Sequence, residues 1–218
     1  GYTVALKKKP VNGMKDIMPD EMQIRDYVQS VIKETYRAFG FTPIETPCME
    51  DIANLSNKQG GENEKLIFKV LKRGEKLKLE TAQSEADLVD FGMRYDLTVP
   101  LCRYYANHAN DLPSPFKALQ MGNVWRADRP QKGRFRQFVQ CDIDILGDAT
   151  NLAEIEEILA LTKALKRICP DKAYTVRVND RAILKGMADY SGFPENETDK
   201  VFIILDKMDK IGLDGVRE

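Results

Sequence analysis

The sequence predicts an α+β domain, an antiparallel sheet flanked by helices with a hairpin over residues 116–147 at its centre. That expectation rests first on an alternation. From Arg134 to Ile145 the odd positions Phe135, Gln137, Val139, Cys141, Ile143 and Ile145 are apolar with one exception, while the even positions hold Arg134, Arg136, Phe138, Gln140, Asp142 and Asp144. A strand sends these two sets to opposite faces, one toward a core and one toward a possible ligand. Second, Arg126-Ala-Asp-Arg-Pro-Gln-Lys-Gly133 has the composition of a turn between two extended segments. Third, two amphipathic helical patterns flank the hairpin in sequence.

The first of these helices starts at Pro19, where a fixed φ and the acids Asp20 and Glu21 suit the positive end of a helix dipole. Ile24, Val28, Val31, Ile32 and Phe39 recur at helical spacing, and Gly40 closes the helix. Thr42 to Pro47 is too proline-rich for a helix and is expected as an extended edge strand. Residues 73–86 are polar and without period, a surface excursion between two strands. The second helix takes Thr150 as its N-cap and runs through Leu152, Ile155, Ile158, Leu159, Thr162 and Leu165. Beyond it a short strand is expected at Tyr174–Val178. A helix capped by Asp180 follows, carrying Ile183, Leu184 and Met187, and another spans Val201–Ile211.

Composition limits the function classes. Over 218 residues, 33 Lys and Arg against 34 Asp and Glu give a net charge of −1, so any attraction for anions must come from local clusters. Four widely spaced cysteines form no zinc-type pairs and are expected to be reduced and mostly buried, as in a cytoplasmic protein. The single histidine, His108, leaves no histidine triad or multi-histidine metal site easily built, so no metal site is expected and His108 is read as a surface residue. No signal pattern or membrane-length apolar run is present, so no membrane partner is expected. Gly60-Gly-Glu-Asn63 is too short and isolated for a phosphate loop. Trp125 is expected in the core and Cys141 on the apolar strand face. An opening Gly1-Tyr2 without methionine and a charged end at Asp214–Glu218 suggest an excised segment of a longer protein.

Two segments carry chemistry. Arg126, Arg129, Lys132, Arg134 and Arg136 gather five cations around one hairpin in a nearly neutral chain. Guanidinium forks suit phosphate oxygens, and Phe138 offers a flat surface for a base. Gln140 and Asp144 on the same face suit an ammonium group and a polar ring. An exposed hairpin with ordinary salt bridges would show the same spacing about as often. In Arg94-Tyr-Asp-Leu-Thr-Val-Pro100, read as a strand ended by Pro100, Asp96 and Thr98 share a face and could bind an amine together. Taken alone, a structural ion pair explains that segment more readily.

Together these segments resemble the class II aminoacyl-tRNA synthetases, and within them the histidyl-tRNA synthetase family. Gly13-Met-Lys-Asp16 with Pro19 is similar to the family's opening, and the helix ending at Gly40 with the strand to Pro47 is similar to motif 1. Arg94–Pro100 resembles the histidine-binding strand, Val124–Phe138 resembles motif 2, and Gln140-Cys-Asp-Ile-Asp144 the histidine-specific strand after it. Val178-Asn-Asp-Arg181 resembles the eukaryotic-like branch. The resemblance implies the class II sheet, truncated, with residues 1–180 as the N-terminal part of the catalytic core and 181–218 as the start of a helical insertion domain. It implies ATP as substrate with magnesium (Mg2+), L-histidine and tRNA(His) as partners, and a homodimer through the motif 1 region.

Residue by residue, it implies that Arg126 is catalytic, bridging the histidine carboxylate and the α-phosphate of ATP. Asp128 would accept from the adenine amino group where many class II enzymes have glutamate. Arg134 would reach the β- and γ-phosphates and Phe138 would stack on adenine. Asp96, Leu97, Thr98 and Gln140 would hold the amino acid, and Asp144 would select its imidazole. A second histidine-binding motif, motif 3 and an anticodon-binding domain are not found in these residues, so the isolated chain is expected to be nearly inactive. Two other functions share the pattern: a synthetase-like regulatory subunit of the histidine-biosynthetic phosphoribosyltransferase, and a synthetase-like sensor of uncharged tRNA. The intact Arg126-to-Asp144 series argues against the first, because a pure sensor needs no ATP site.

Overall fold

The computed structural model describes residues 4–56 and 62–217. The chain divides into two compact units, Gly1–Lys172 and Ala173–Glu218. Gly60 and Gly61 lie outside the described residues.

In the first unit, helix α1 (Pro19–Ala38) carries its acids in the first turn and Arg37 in the last, as the dipole favours. It ends as the sequence predicts. Gly40 takes φ +88°, which a Cβ would strain. The Gly40 N–H then donates to the Arg37 carbonyl and the Phe41 N–H to the Tyr36 carbonyl, while the Tyr36 and Phe41 rings meet at 6.2 Å. This closure drops the chain into β1 (Thr42–Pro43) at the edge of a three-stranded sheet.

At the centre of that sheet is β5 (Phe116–Trp125), paired along its whole length with β6 (Gln137–Leu146) from Phe116↔Leu146 to Trp125↔Gln137. The pairing of β5 and β6 is antiparallel as expected, but β1 runs parallel to β5, so the sheet is mixed. A second, antiparallel sheet has the order β2 (Met49–Asp51), β4 (Val89–Met93), β3 (Lys69–Leu71). Helix α2 (Ile52–Leu55) follows β2, and α3 (Thr98–His108) follows β4. The polar excursion does run between β3 and β4, with single 3-10 turns at Gly74–Lys76 and Glu85–Asp87.

The period-two reading fixes what each face of the hairpin does. Ile143 and Ile145 of β6, with Leu119 and Met121 of β5, pack on Tyr36 of α1, on Phe41 and on Ala160 and Ala164 of α4 (Leu152–Ile168). Alanines on α4 let that helix lie close to the sheet. On the opposite face, Phe116 and Ala118 meet Leu101, Tyr104 and Tyr105 of α3, the two tyrosine rings lying 6.2 and 6.3 Å from Phe116. That packing covers only the end of the face nearest Phe116. The end nearest Trp125 is left for polar groups.

Several expectations need correction. Thr150 is not the N-cap of α4; Asn151 is, although the Thr150 hydroxyl still accepts from the Leu152 N–H at 3.3 Å. Cys48, Cys102 and Cys169 are exposed, and only Cys141 is half-buried, on the apolar face as expected. Trp125 is half-buried and its indole N–H donates to the Gln137 side chain at 2.8 Å. Tyr174–Val178 is not a strand. The second unit is helical, with no strand among its described residues, and an alternating segment without a partner forms no ladder. Asp180 caps α5 (Arg181–Tyr190) as predicted, its carboxylate accepting from the Ala182 N–H at 2.8 Å. The helix expected at Val201–Ile211 is two, α6 (Thr198–Asp206) and α7 (Met208–Arg217), with Gly212 at φ +72° interrupting the latter. Among the described residues no helix is long and apolar enough to cross a membrane.

Candidate functional site

The site forms where the loop after β4 meets the polar end of the β5–β6 hairpin. Arg94–Pro100 is not the strand that the sequence suggests. Arg94 to Leu97 is a loop, Thr98 begins α3, and Pro100 lies in the first turn of that helix, where a missing N–H costs nothing. Asp96 and Thr98 are therefore neighbours across a helix start and do not share a strand face. The Thr98 N–H donates to Asp96 Oδ2 at 3.1 Å. The Leu97 side chain is core, 1% exposed, and the Leu97 carbonyl accepts from Gln120 Nε2 at 3.2 Å, which ties the loop to β5.

Asp96 is the centre of the cluster. Its Oδ1 accepts from Gln140 Nε2 at 2.7 Å and lies 3.6 Å from Arg126 Nη2. Arg126 is held by one hydrogen bond, from Nε to the Tyr95 carbonyl at 2.8 Å, and its guanidinium carbon sits 5.1 Å from the Phe138 ring centroid. Its side chain keeps 32% of its surface exposed, and among the described residues Nη1 has no hydrogen-bond partner, so part of the fork is free for a ligand. Gln140 Oε1 is buried without a hydrogen-bond partner, an acceptor that an ammonium N–H would satisfy.

Register supplies the room. Gly122 of β5 faces Gln140 and Ala118 faces Asp144, so these two polar side chains of β6 stand opposite the smallest residues of β5. Asp142 faces Gln120 between them. Among the described residues neither Asp142 nor Asp144 makes a side-chain hydrogen bond, and both are half-buried. Their electrostatics separate them from Asp96. Burial pushes the Asp142 carboxyl up to about 6, the charges of Asp96 and Asp144 add to this, and Arg126 opposes it. Burial and the Asp96 charge likewise raise Asp144. For Asp96 burial also acts upward, but hydrogen bonds from Thr98 and Gln140 and the Arg126 charge outweigh it, leaving the carboxyl below its usual value. One face thus holds a firmly ionised carboxylate beside two reluctant ones, the kind of divergence that assigns different tasks to like groups.

The cations of the hairpin turn divide in the same way. Arg136 Nε donates to the Asp128 carbonyl at 2.9 Å and its N–H to the Gly13 carbonyl at 2.7 Å, so this arginine holds the loop in shape. Arg129, Lys132 and Arg134 are exposed, and Asp128 is half-buried. The structure therefore brings Asp96, Thr98, Arg126, Phe138, Gln140 and the Asp142–Asp144 row to one place. Asp128 and Arg134 remain on the turn, without a side-chain contact to that cluster among the described residues. The sequence reading missed Gln120, Gly122 and Arg94. The first two could have been found, since a glutamine and a glycine on a strand face otherwise made of Phe116, Ala118 and Val124 are unusual for packing alone.

Against known proteins, the family model described as histidyl-tRNA synthetase matches residues 13–218. The chain is 47% identical over 211 residues to the histidine–tRNA ligase of Leifsonia xyli subsp. xyli, covering 95% of this chain and 49% of that protein. It is 44% identical over 213 residues to the probable histidine–tRNA ligase of Tropheryma whipplei, covering 98% and 50%. It superposes with a TM-score of 0.77, at 29% identity, on the crystal structure of histidyl-tRNA synthetase from Nostoc sp. PCC 7120, covering 97% of this chain and 44% of that one. The chain spans about half the length of the curated relatives it matches.

Proposed function

The chain belongs to the histidyl-tRNA synthetase family, and from that premise we propose that it supplies the ATP- and histidine-reading half of a histidine–tRNA ligase. The full-length protein would join histidine to AMP and pass the histidyl group to tRNA(His). In the first step a histidine carboxylate oxygen attacks the α-phosphorus of ATP and the bond to the bridging oxygen breaks, releasing pyrophosphate. Arg126 would span both reactants, since its free fork can bind the carboxylate and an α-phosphate oxygen together and stabilise the charge that grows there. The observation that carries this reading is the junction itself. Asp96, Arg126 and Gln140 come from three segments and meet within 2.7 and 3.6 Å beside an open aromatic face.

Asp96, ionised, would receive the α-ammonium with Gln140 Oε1 and the Thr98 hydroxyl, and the Leu97 backbone would shape the floor. Phe138 would stack on adenine, Asp128 would accept from its amino group, and Arg134 would reach the β- and γ-phosphates. Magnesium would travel with the ATP phosphates. Asp144 would accept a hydrogen bond from the imidazole ring. A homodimer through residues near 22–50 and a cytoplasmic location belong to the same reading. So does a helical insertion beginning at Arg181. The eukaryotic-like branch rests on Asp128 and Val178-Asn-Asp-Arg181 alone, while the relatives compared are bacterial; a tree built on full-length sequences is its test.

Histidine-dependent pyrophosphate exchange by the full-length protein tests the activity. Histidine binding without exchange would refute it in favour of a sensor. In the same assay Asp144→Ala should raise the KM for histidine steeply and leave that for ATP nearly unchanged. Sites built around a polar contact can discriminate by up to about 10⁴–10⁵. Asp142→Ala is the matched control, and the reverse pattern would move imidazole recognition to Asp142.

A further inference from the structure

The assigned site uses Arg126 and Arg134 and leaves the other cations around them without a role. Residues 4–18 carry Lys7, Lys8, Lys9 and Lys15 against one acid, Asp16, and the turn 126–136 carries five cations against Asp128. Nine basic side chains against two acidic ones stand out in a chain of net charge −1. These two stretches, more than a hundred residues apart, are joined in the structure. Val11 to Gly13 form a tight turn in which the Met14 N–H donates to the Val11 carbonyl at 3.0 Å, and the Gly13 carbonyl accepts from the Arg136 N–H at 2.7 Å. Gly13 has φ +82°, and a Cβ there would lie 2.7 Å from Arg136 Cδ and 3.0 Å from Pro130 Cγ. Lys15 sits over the exposed Phe135 ring at 5.6 Å.

This seat fixes where the lysine run begins. Lys9 is four residues from Gly13, so even a fully extended chain keeps it within about 14 Å of Gly13, itself bonded to the Arg136 backbone. Arg126, Arg136 and Lys15 are engaged with protein groups, whereas Lys7, Lys8, Lys9, Arg129, Lys132 and Arg134 are exposed and form no ion pair among the described residues. Residues 4–8 have no regular secondary structure, so the lysines do not lie on an amphipathic helix of the kind that lies on a membrane.

We propose that Lys7, Lys8 and Lys9, docked through Gly13 onto the hairpin turn, extend the Arg129 and Lys132 pair into one surface that binds the phosphate backbone of RNA. The proposal rests on the synthetase reading, which makes that RNA the tRNA substrate. Contacts of this kind are sequence-independent and position the substrate; they do not read bases.

The test uses full-length protein and a tRNA(His) transcript, with binding followed by fluorescence anisotropy over a series of salt concentrations. Replacing Lys7, Lys8 and Lys9 together by Ala should weaken binding on the order of tenfold and lower the slope of log K against log salt by roughly 2–3, about 0.7–0.9 for each lost phosphate contact. The Lys→Arg triple variant should keep the slope. Pyrophosphate exchange, which involves no RNA, should be unchanged in both. An unaltered affinity and slope in the alanine variant would overturn the proposal. So would loss of binding to anionic phospholipid vesicles with tRNA affinity intact, which would make the surface a membrane contact. Absence of pyrophosphate exchange in the parent protein would instead refute the synthetase reading.

Discussion

Arg94 and Arg126 lie in two adjoining regions, and the molecule treats them in opposite ways. Arg94 is 4% exposed at the end of β4. Its Nε donates to the Asn123 carbonyl at 2.8 Å, and its Nη1 reaches the Thr46 carbonyl at 3.0 Å, the Thr46 hydroxyl at 3.2 Å and the Pro47 carbonyl at 3.4 Å. It thus ties the chain before β2 to the central strand β5. Arg126, at the far end of β5, has one anchoring bond and an open fork beside Asp96 and Phe138. A guanidinium whose donors are aimed at backbone carbonyls holds the fold. One that is oriented by a single bond, with charge left over, is placed for a ligand.

The largest expected effect breaks the first region. Arg94→Ala leaves three buried or half-buried carbonyls without a donor and should cost about 3–5 kcal/mol, read as a lower denaturation midpoint. Arg94→Lys should recover little, because an ammonium cannot reproduce the fork. In contrast, Arg126→Ala should change stability by less than about 1 kcal/mol while lowering pyrophosphate exchange in the full-length protein on the order of 10²–10³-fold. If Arg126→Ala unfolded the protein, or Arg94→Ala left it stable, the division between the two regions would fail.

A smaller effect sharpens it. Gly122 faces Gln140 in the register, and a Cβ added there would lie 2.4 Å from Arg94 Nη2. The glycine therefore gives Arg94 its space on the strand face that Gln140 shares. Gly122→Ala should destabilise by about 1–3 kcal/mol, as overpacking does. It should also raise the KM for histidine, whereas a purely structural glycine would alter stability alone.

The contrast also shows what the sequence could reveal. Period two exposed the hairpin faces because Ile143 and Ile145 alternate with Asp142 and Asp144 over enough residues to leave no second register. The C-terminus of α1 was legible because glycine at position 40 is what a left-handed closure requires. Arg94 was not legible, since its partners Thr46 and Asn123 are far away in the chain and nothing local marks an arginine as buried. The loop at Tyr95–Leu97 was misread because Leu-Thr-Val favours a strand. The competing signal was present: an aspartate two residues before Thr98 and a proline two after it form a helix start. Asp96 therefore reaches the cluster from a helix start and not from the strand face that the sequence suggests.

The smallest effect concerns the carboxylate row, and pH isolates it. Burial, then the charges of Asp96 and Asp144, raise the Asp142 carboxyl from its ordinary 3.8 to about 6, so its ionised form is less favourable in the folded chain than in the unfolded one. The sign follows by linkage. Below about pH 4 the group is protonated in both states and contributes nothing. Between about 4 and 6 the unfolded chain ionises first, and stability falls as pH rises. Above 6 the full cost is present. A shift of this size corresponds to nearly 3 kcal/mol, but Asp142 is only half-buried and solvent screening reduces this to about 1 kcal/mol. Asp142→Asn should therefore stabilise the chain by about that amount at pH 7.5 and by almost nothing at pH 4, measured as thermal midpoints across a pH series. Asp96→Asn should do the reverse, destabilising at pH 7.5, because the Asp96 carboxylate is held ionised by Thr98, Gln140 and Arg126 against the pull of burial. A gain from Asp142→Asn that did not shrink toward pH 4 would mean that packing, and not the crowding of carboxylates, sets the character of this face.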